Sequence, residues 1–305
     1  MATKLTISRR ALLGGVGALA LGPPAKARSE ILRKPIPKTG QRLPVIGMGS
    51  WLTFDVGEHE DLRAQRLEVL RTFFAAGGAV VVSSPMYGSS EAVIGYCLSR
   101  LAPSETKSLF AATKVWTPMK WLGMGQMRHS RALWGRNFAL MQIHNMVDWQ
   151  SHLETLLEQK AAGQIRYIGI TTSHGRRHGE LEQVLQTQPF DFVQLTYNVL
   201  DRQAEQRLLP LTAERGLAVI ANRPFRRGAL FRRFAHHPLP GWAAEIDCAN
   251  WAQVFLKFIV SHPALTCAIP ATSRVDHMRE NMGALRGRLP DAALRSRMIA
   301  TIEGL

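Results

Sequence analysis

Three side chains with acid–base or nucleophilic capacity interrupt or close apolar runs. Tyr87 follows "AVVVSS" and lies beside a glycine in "SSPMYGSS", Lys114 interrupts "LFAATKVW", and His144 closes "LMQIH". An ammonium inside an apolar strand needs water or a partner, because burying it alone is very costly, so Lys114 reads as facing an opening. A cation and an imidazole beside a phenol favour transfer of the phenolic proton. The trio fits chemistry on a carbonyl: Tyr87 protonates the oxygen as hydride reaches the carbon, and His144 orients the same oxygen. The hydride has to come from a cofactor.

No GxGxxG is present to hold a dinucleotide. Instead "IPATSRVDHMREN" offers the hydroxyls of Thr272 and Ser273, the Arg274 guanidinium and a helix amino terminus, a set suited to a phosphate. Thr171 and Thr172 end "RYIGITT", and Gln194 lies inside "FVQLTY".

One architecture brings so many run ends together. Eight runs, "PVIGMGSW", "AVVVSS", "LFAATKVW", "FALMQIH", "RYIGITT", "FVQLTY", "LAVIANR" and "LTCAIP", alternate with stretches of helical period. Helices are expected over 62–76, 90–101, 127–133, 149–162, 179–187, 204–215 and 251–261, and after the last strand. This alternation predicts an α/β fold, a parallel (β/α)₈ TIM barrel in one domain over residues 28–305, with its chemistry at the carboxyl ends of the strands. "IPKTGQR" predicts a small hairpin ahead of the first strand, and further helices are expected at the carboxyl terminus. No linker, internal repeat or low-complexity block follows residue 28.

Residues 1–27 read as a separate export signal of the twin-arginine type. Arg9-Arg10 precede an apolar run over 11–22 that is too short to span a bilayer, and Ala25-Lys26-Ala27 forms a small-x-small cleavage pattern. The expected partner is the twin-arginine export machinery, the expected location is the periplasm or beyond, and no stable membrane span is expected after cleavage. The formal charge of +15 stays strongly positive without the four cations of that segment. Its main clusters, "HGRRHGE" and "RPFRRGALFRRF", form no base-reading helix, no long lysine tract and no zinc-finger spacing, so a nucleic-acid partner is not expected. Cys97, Cys248 and Cys267 lack framework or CxxC spacing and read as packed thiols.

The runs "LPVIGMGSW", "SSPMYGSSEAVIG", "AATKVW", "LMQIHN", "GQIRYIGITTS", "QLTYNVLDRQAEQRLLPLTAERGLAVI" and "IPATSRVDHMREN" resemble, in order, those of the aldo-keto reductase family over nearly all of residues 36–290. The resemblance implies NADP(H) extended across the barrel mouth and reversible reduction of aldehydes or ketones, with a small-molecule carbonyl as partner. It implies Tyr87 as acid, Lys114 as its pKa-lowering neighbour and His144 as orienter. Thr171, Thr172 and Gln194 fall where the family holds the carboxamide, and Ser273, Arg274, Glu280 and Asn281 where it holds the adenosine phosphate and adenine. Ser50, Trp51 and Asn222 are expected at the cofactor as well.

Two positions depart from the pattern. The family's catalytic aspartate, five residues before the tyrosine, is Val82, so Lys114 lacks its usual carboxylate. At the seventh strand Asn222 replaces the tyrosine that covers the nicotinamide, leaving Phe225 or Trp51 for that task. The loop from Arg223 to Trp242 is expected to fold over the cofactor. A slow NADP(H)-dependent carbonyl reductase, a nicotinamide-nucleotide-binding protein with little or no activity, and a lyase using Lys114 as a Schiff base therefore stand as alternatives. Trp51, Phe54, Trp116 and Trp149 near strand ends point to an apolar or aromatic substrate.

Overall fold

The computed structural model describes residues 30–305. The leader expected over residues 1–27, with Arg9-Arg10 and cleavage after Ala27, lies outside the described residues. An antiparallel hairpin, β1 (Arg33–Pro35) and β2 (Arg42–Pro44), precedes eight parallel strands. These are β3 (Met48–Gly49), β4 (Val80–Val82), β5 (Phe110–Val115), β6 (Leu140–Ile143), β7 (Tyr167–Thr171), β8 (Phe192–Thr196), β9 (Ala218–Asn222) and β10 (Leu265–Ala268), each hydrogen-bonded to the next. Parallel bridges Ile46 to Ala268 and Gly49 to Ala271 bring the two edges together, with Gly47 N–H donating to the Ala268 carbonyl at 2.8 Å. Each of the eight expected runs supplies one strand of this barrel.

Side chains alternate across each strand, and the inward faces form two zones. Toward the amino-terminal end the interior is apolar, with Val80, Val82, Phe110, Phe192, Ile220 and Cys267 in one buried cluster. The hairpin seals that end: Ile36 and Leu43 join the cluster, and the Tyr167 hydroxyl meets Thr39 at 3.0 Å and Gln41 at 2.9 Å. Further along the same faces the residues turn polar, with Ser84, Lys114, Gln142, His144, Gln194 and Asn222 all buried. Among the described residues, buried polar side chains thus line the carboxyl-terminal end of the barrel, while the opposite end is filled by the apolar cluster.

The outer layer is α1 (Glu60–Ala75), α2 (Ser90–Leu98), the short α3 (Pro103–Thr106), α4 (Lys120–Trp134), α5 (Trp149–Ala161), α6 (His178–Thr187), α7 (Leu208–Glu214), α8 (Ala229–Phe234), α9 (Trp251–Ser261), α10 (Val275–Gly283) and α11 (Ala292–Gly304). Helix α4 starts seven residues before the expected Met127, because Gly123 and Gly125 weaken the helical reading of the sequence. A Cβ on Gly123 would lie 2.4 Å from the His152 ring, so this glycine is what lets α4 lie against α5. The helix expected over 204–215 divides into a 3₁₀ turn at Gln203–Glu205 and α7. Pro210 has no N–H to bond back to residue 206, which accounts for the break. All three cysteines are free and buried. Among the described residues no helix is long and apolar enough to cross a membrane.

Candidate active site

Tyr87 is held by the turn that leads from β4 into α2. Its N–H donates to the Ser84 carbonyl at 3.0 Å and its carbonyl accepts from Ser90 N–H at 3.1 Å. Gly88 follows at φ +57, a conformation that suits glycine, and a Cβ there would lie 2.4 Å from the Asp55 carboxylate. That carboxylate accepts from both the N–H and the hydroxyl of Ser89, each at 2.8 Å. The loop after β3 is thereby latched to the loop after β4. The latch sets Trp51 beside Tyr87, with ring centroids 6.3 Å apart.

Lys114 and His144 complete the group. The fully buried Lys114 ammonium donates to the Ser83 carbonyl at 2.7 Å and lies 4.9 Å from the centre of the Tyr87 ring. The His144 ring meets the Tyr87 ring edge-on at 87°, with centroids 5.6 Å apart. The structure thus brings the three expected chemical residues together. Burial lowers the Lys114 pKa to about 7, opposed by the charge of Glu91. Burial, then the nearby Lys114 charge, push His144 down to about 2, so the imidazole is neutral at ordinary pH. Burial pushes the Tyr87 phenol well above its usual range, so it keeps its proton.

Val82 is buried in the apolar cluster, paired with Ala112 one layer below Lys114. Ser50 donates to Ser83 Oγ at 2.8 Å and to the Val82 carbonyl at 3.3 Å. It braces the strand end that holds Lys114. Glu91 sits behind β5, accepting from Thr113 Oγ1 at 2.5 Å and Ser130 Oγ at 2.8 Å. Burial raises its pKa, while those two bonds and the Lys114 charge pull it down. Sequence reasoning did not single out Glu91, and it weighed Ser84 only as a neighbour of Val82 that cannot supply a negative charge. Ser84 was visible in the two-residue period of β4, which puts it on the face of Val82, whereas nothing in the sequence marks Glu91 as buried.

Across the mouth, Thr171 Oγ1 accepts from Asn145 N–H at 2.9 Å, and Gln194 Oε1 accepts from Gln142 at 3.4 Å. Thr172 Oγ1 is buried without a partner among the described residues. Both ends of the Asn222 amide are engaged: Oδ1 accepts from Thr196 at 2.7 Å and Nδ2 donates to the Thr172 carbonyl at 2.8 Å. Its side chain fixes the Thr172 segment.

Around β10 and α10 a cavity of about 310 Å³ is lined by Thr272, Glu280, Asn281, His277, Phe225 and Phe231. Phe225 packs on Phe231 at 4.6 Å between ring centroids, so of the two rings considered for the nicotinamide only Trp51 stands beside Tyr87. Arg274 forks onto Asp276, and the Ser273 carbonyl accepts from Arg66. The segment from Arg223 to Trp242 contains α8, and its Arg227 guanidinium lies 4.0 Å over the Trp51 ring. Among the aromatic residues near strand ends, Phe54 is fully buried in the core, whereas Trp116 is exposed.

The closed eight-stranded barrel, sealed at one end and polar at the other, defines a TIM-barrel protein with its site at the carboxyl ends of the strands. A model of the Aldo/keto reductase family matches residues 45–296, and the chain belongs to that family. It is 25% identical over 267 residues to Methylglyoxal reductase YeaE of Escherichia coli (strain K12), covering 83% of this chain and 89% of the relative. It is also 25% identical over 311 residues to the NADH-specific methylglyoxal reductase of the same organism, covering 85% and 94%. Among solved structures, an aldo-keto reductase from Klebsiella pneumoniae in complex with NADPH aligns with a TM-score of 0.74 at 21% identity, over 89% of this chain and 96% of that one. The holo form of aldo-keto reductase AKR11C1 from Bacillus halodurans aligns at 0.72 with 18% identity, over 90% and 96%. These two structural likenesses speak for the fold.

Proposed function

We propose that the chain is an NADP(H)-dependent reductase of aldehydes or ketones, working slowly because Val82 stands where the family has a catalytic aspartate. The observation that carries this reading is the convergence of Tyr87, Lys114 and His144 at one polar mouth. The mouth also fits a nicotinamide dinucleotide: Thr172 offers a buried hydroxyl with no partner among the described residues, and Thr272, Glu280 and Asn281 line a cavity. Thr171, Thr172 and Gln194 would hold the carboxamide, and Ser273, Arg274, Glu280 and Asn281 the adenosine end. Ser50 and Asn222 brace the strand ends behind them. When bound, that cofactor supplies the hydride.

In this mechanism the Tyr87 hydroxyl gives its proton to the carbonyl oxygen, while neutral His144 donates a hydrogen bond to it. Lys114 lies against the Tyr87 ring and assists the phenol only in the fraction that carries a charge. Burial keeps the Tyr87 phenol protonated, so it carries the proton that reduction needs, and the same group would take that proton back in the reverse reaction. The test is NADPH consumption against a panel of reactive aldehydes and quinones, with Tyr87→Phe run beside it. The variant is expected to lose roughly 10²- to 10⁴-fold in turnover. Folded protein that binds NADPH without turning over any carbonyl would select the nucleotide-binding alternative, which the apolar Val82 favours.

The proposal also places the protein outside the cytoplasm, supported by the order of charge, apolar run and cleavage pattern in residues 1–27. Exported protein is expected to begin at Arg28, which amino-terminal sequencing checks. Full-length protein found only in the cytoplasm would remove this part.

A further inference from the structure

We propose that Ser84 is a positioning residue that holds His144 as its Nε2–H tautomer. Ser84 follows Val82 by two residues and faces the mouth from the end of β4, fully buried. Its Oγ lies 2.8 Å from His144 Nδ1 and accepts the Met86 N–H at 3.3 Å. A hydroxyl has one proton and two lone pairs. With Met86 donating into one lone pair, the remaining choices at Nδ1 are opposite in sense. If Nδ1–H donated to Ser84, the hydroxyl proton would be left buried, and no other acceptor for it exists among the described residues; an unmet buried donor is costly. If the hydroxyl donates to Nδ1, every group is satisfied and the ring proton resides on Nε2.

Nε2 has no protein partner among the described residues, so this proton is free for a ligand. Nδ1 must be unprotonated to accept, which agrees with a ring kept neutral by burial and by the nearby Lys114 charge. The consequence for catalysis rests on the carbonyl-reduction reading above: an Nε2–H attracts the carbonyl oxygen that Tyr87 protonates, whereas a bare Nε2 lone pair repels it. The tautomer itself does not depend on that reading. A neutral hydroxyl thereby fixes the imidazole in a site that lacks its usual carboxylate.

The experiment is nitrogen-15 NMR of the whole protein labelled at histidine, with His144 assigned by its loss in His144→Gln. Long-range proton–nitrogen correlations distinguish the tautomers without substrate or cofactor. The wild-type ring is expected to show the Nε2–H pattern, Ser84→Ala to show a mixture or the Nδ1–H form, and Ser84→Thr to restore the first pattern. Alongside this, kcat for carbonyl reduction in Ser84→Ala is expected to fall roughly tenfold with NADPH Kd unchanged, since only an oriented donor is lost. A wild-type Nδ1–H pattern overturns the proposal even if Ser84→Ala does not fold, and so does an unchanged Nε2–H pattern in folded Ser84→Ala. The expected tautomers with no carbonyl turnover would support Ser84 in this role and count against the reductase reading alone.

Discussion

The two sides of the barrel mouth are built on different principles. On the side of β4, β5 and β6 the chemical groups are buried and held by neutral atoms: Lys114 by the Ser83 carbonyl and His144 by the Ser84 hydroxyl. On the side of β10 and α10 the charged groups are exposed and bring their own counter-ions, as Arg274 does with Asp276. A buried charge without a carboxylate alters stability and rate, because no solvent can make up the difference. An exposed charge reorients freely and registers only when a ligand engages it. Changes on the first side should therefore appear in stability and kcat, and changes on the second in cofactor affinity.

Of the changes that test this contrast, the largest expected effect is on stability, in Lys114→Met. The Lys114 pKa is about 7 in the folded protein against an ordinary 10.5, so between those values the unfolded chain binds a proton that the folded one does not. Stability contributed by this site therefore falls as pH drops from 10.5 to 7 and then levels off. Lys114→Met removes that loss, with a gain on the order of 1–3 kcal/mol at pH 6 that vanishes near pH 10.5. Urea unfolding of both proteins at pH 6, 8 and 10 measures it. Lys34, whose pKa burial lowers to about 8, titrates in both proteins and cancels in the difference. A gain of equal size at every pH would mean that the Lys114 charge is solvated, and the contrast between the two sides would fail.

Val82→Asp sharpens the same contrast by adding a carboxylate to the buried side. An acid near Lys114 favours its charged form, and a cation beside Tyr87 eases loss of the phenolic proton. Carbonyl reduction is expected to rise on the order of tenfold. NADPH affinity should stay constant. Folded Val82→Asp no faster than wild type would show that the missing aspartate does not limit the rate.

The barrel was legible because burial on both faces leaves strands as short apolar runs, and the eight runs met no competing signal. Tyr87, Lys114 and His144 were legible for the reverse reason, as polar residues that break or end those runs. Ser50 and Asn222 sit at strand ends like the others, but their amide and hydroxyl groups are consumed by neighbouring backbone and side chains. Sequence position fixes the strand end and leaves the hydrogen-bond partner open. Arg227 belongs to the same class: the sequence predicts its loop over the mouth, but the ring its guanidinium covers, Trp51, is a partner that only the closed barrel brings to it.

Arg274→Ala tests the exposed side and has the smallest expected effect. The guanidinium makes two hydrogen bonds to Asp276, whose pKa they hold well below the usual carboxylate range. A ribose 2′-phosphate would have to draw Arg274 away from that partner, so the net gain from the new pair is modest. Loss of Arg274 should weaken NADPH binding about fivefold and leave NADH unaffected, because only the former carries the phosphate. Asp276→Asn should act in the opposite sense by freeing the guanidinium. Titration of each nucleotide by protein fluorescence reads both variants without any turnover. Equal weakening of NADPH and NADH in Arg274→Ala would assign the side chain to packing of the α10 amino terminus, and nucleotide choice would then rest with the cavity walls around Glu280 and Asn281.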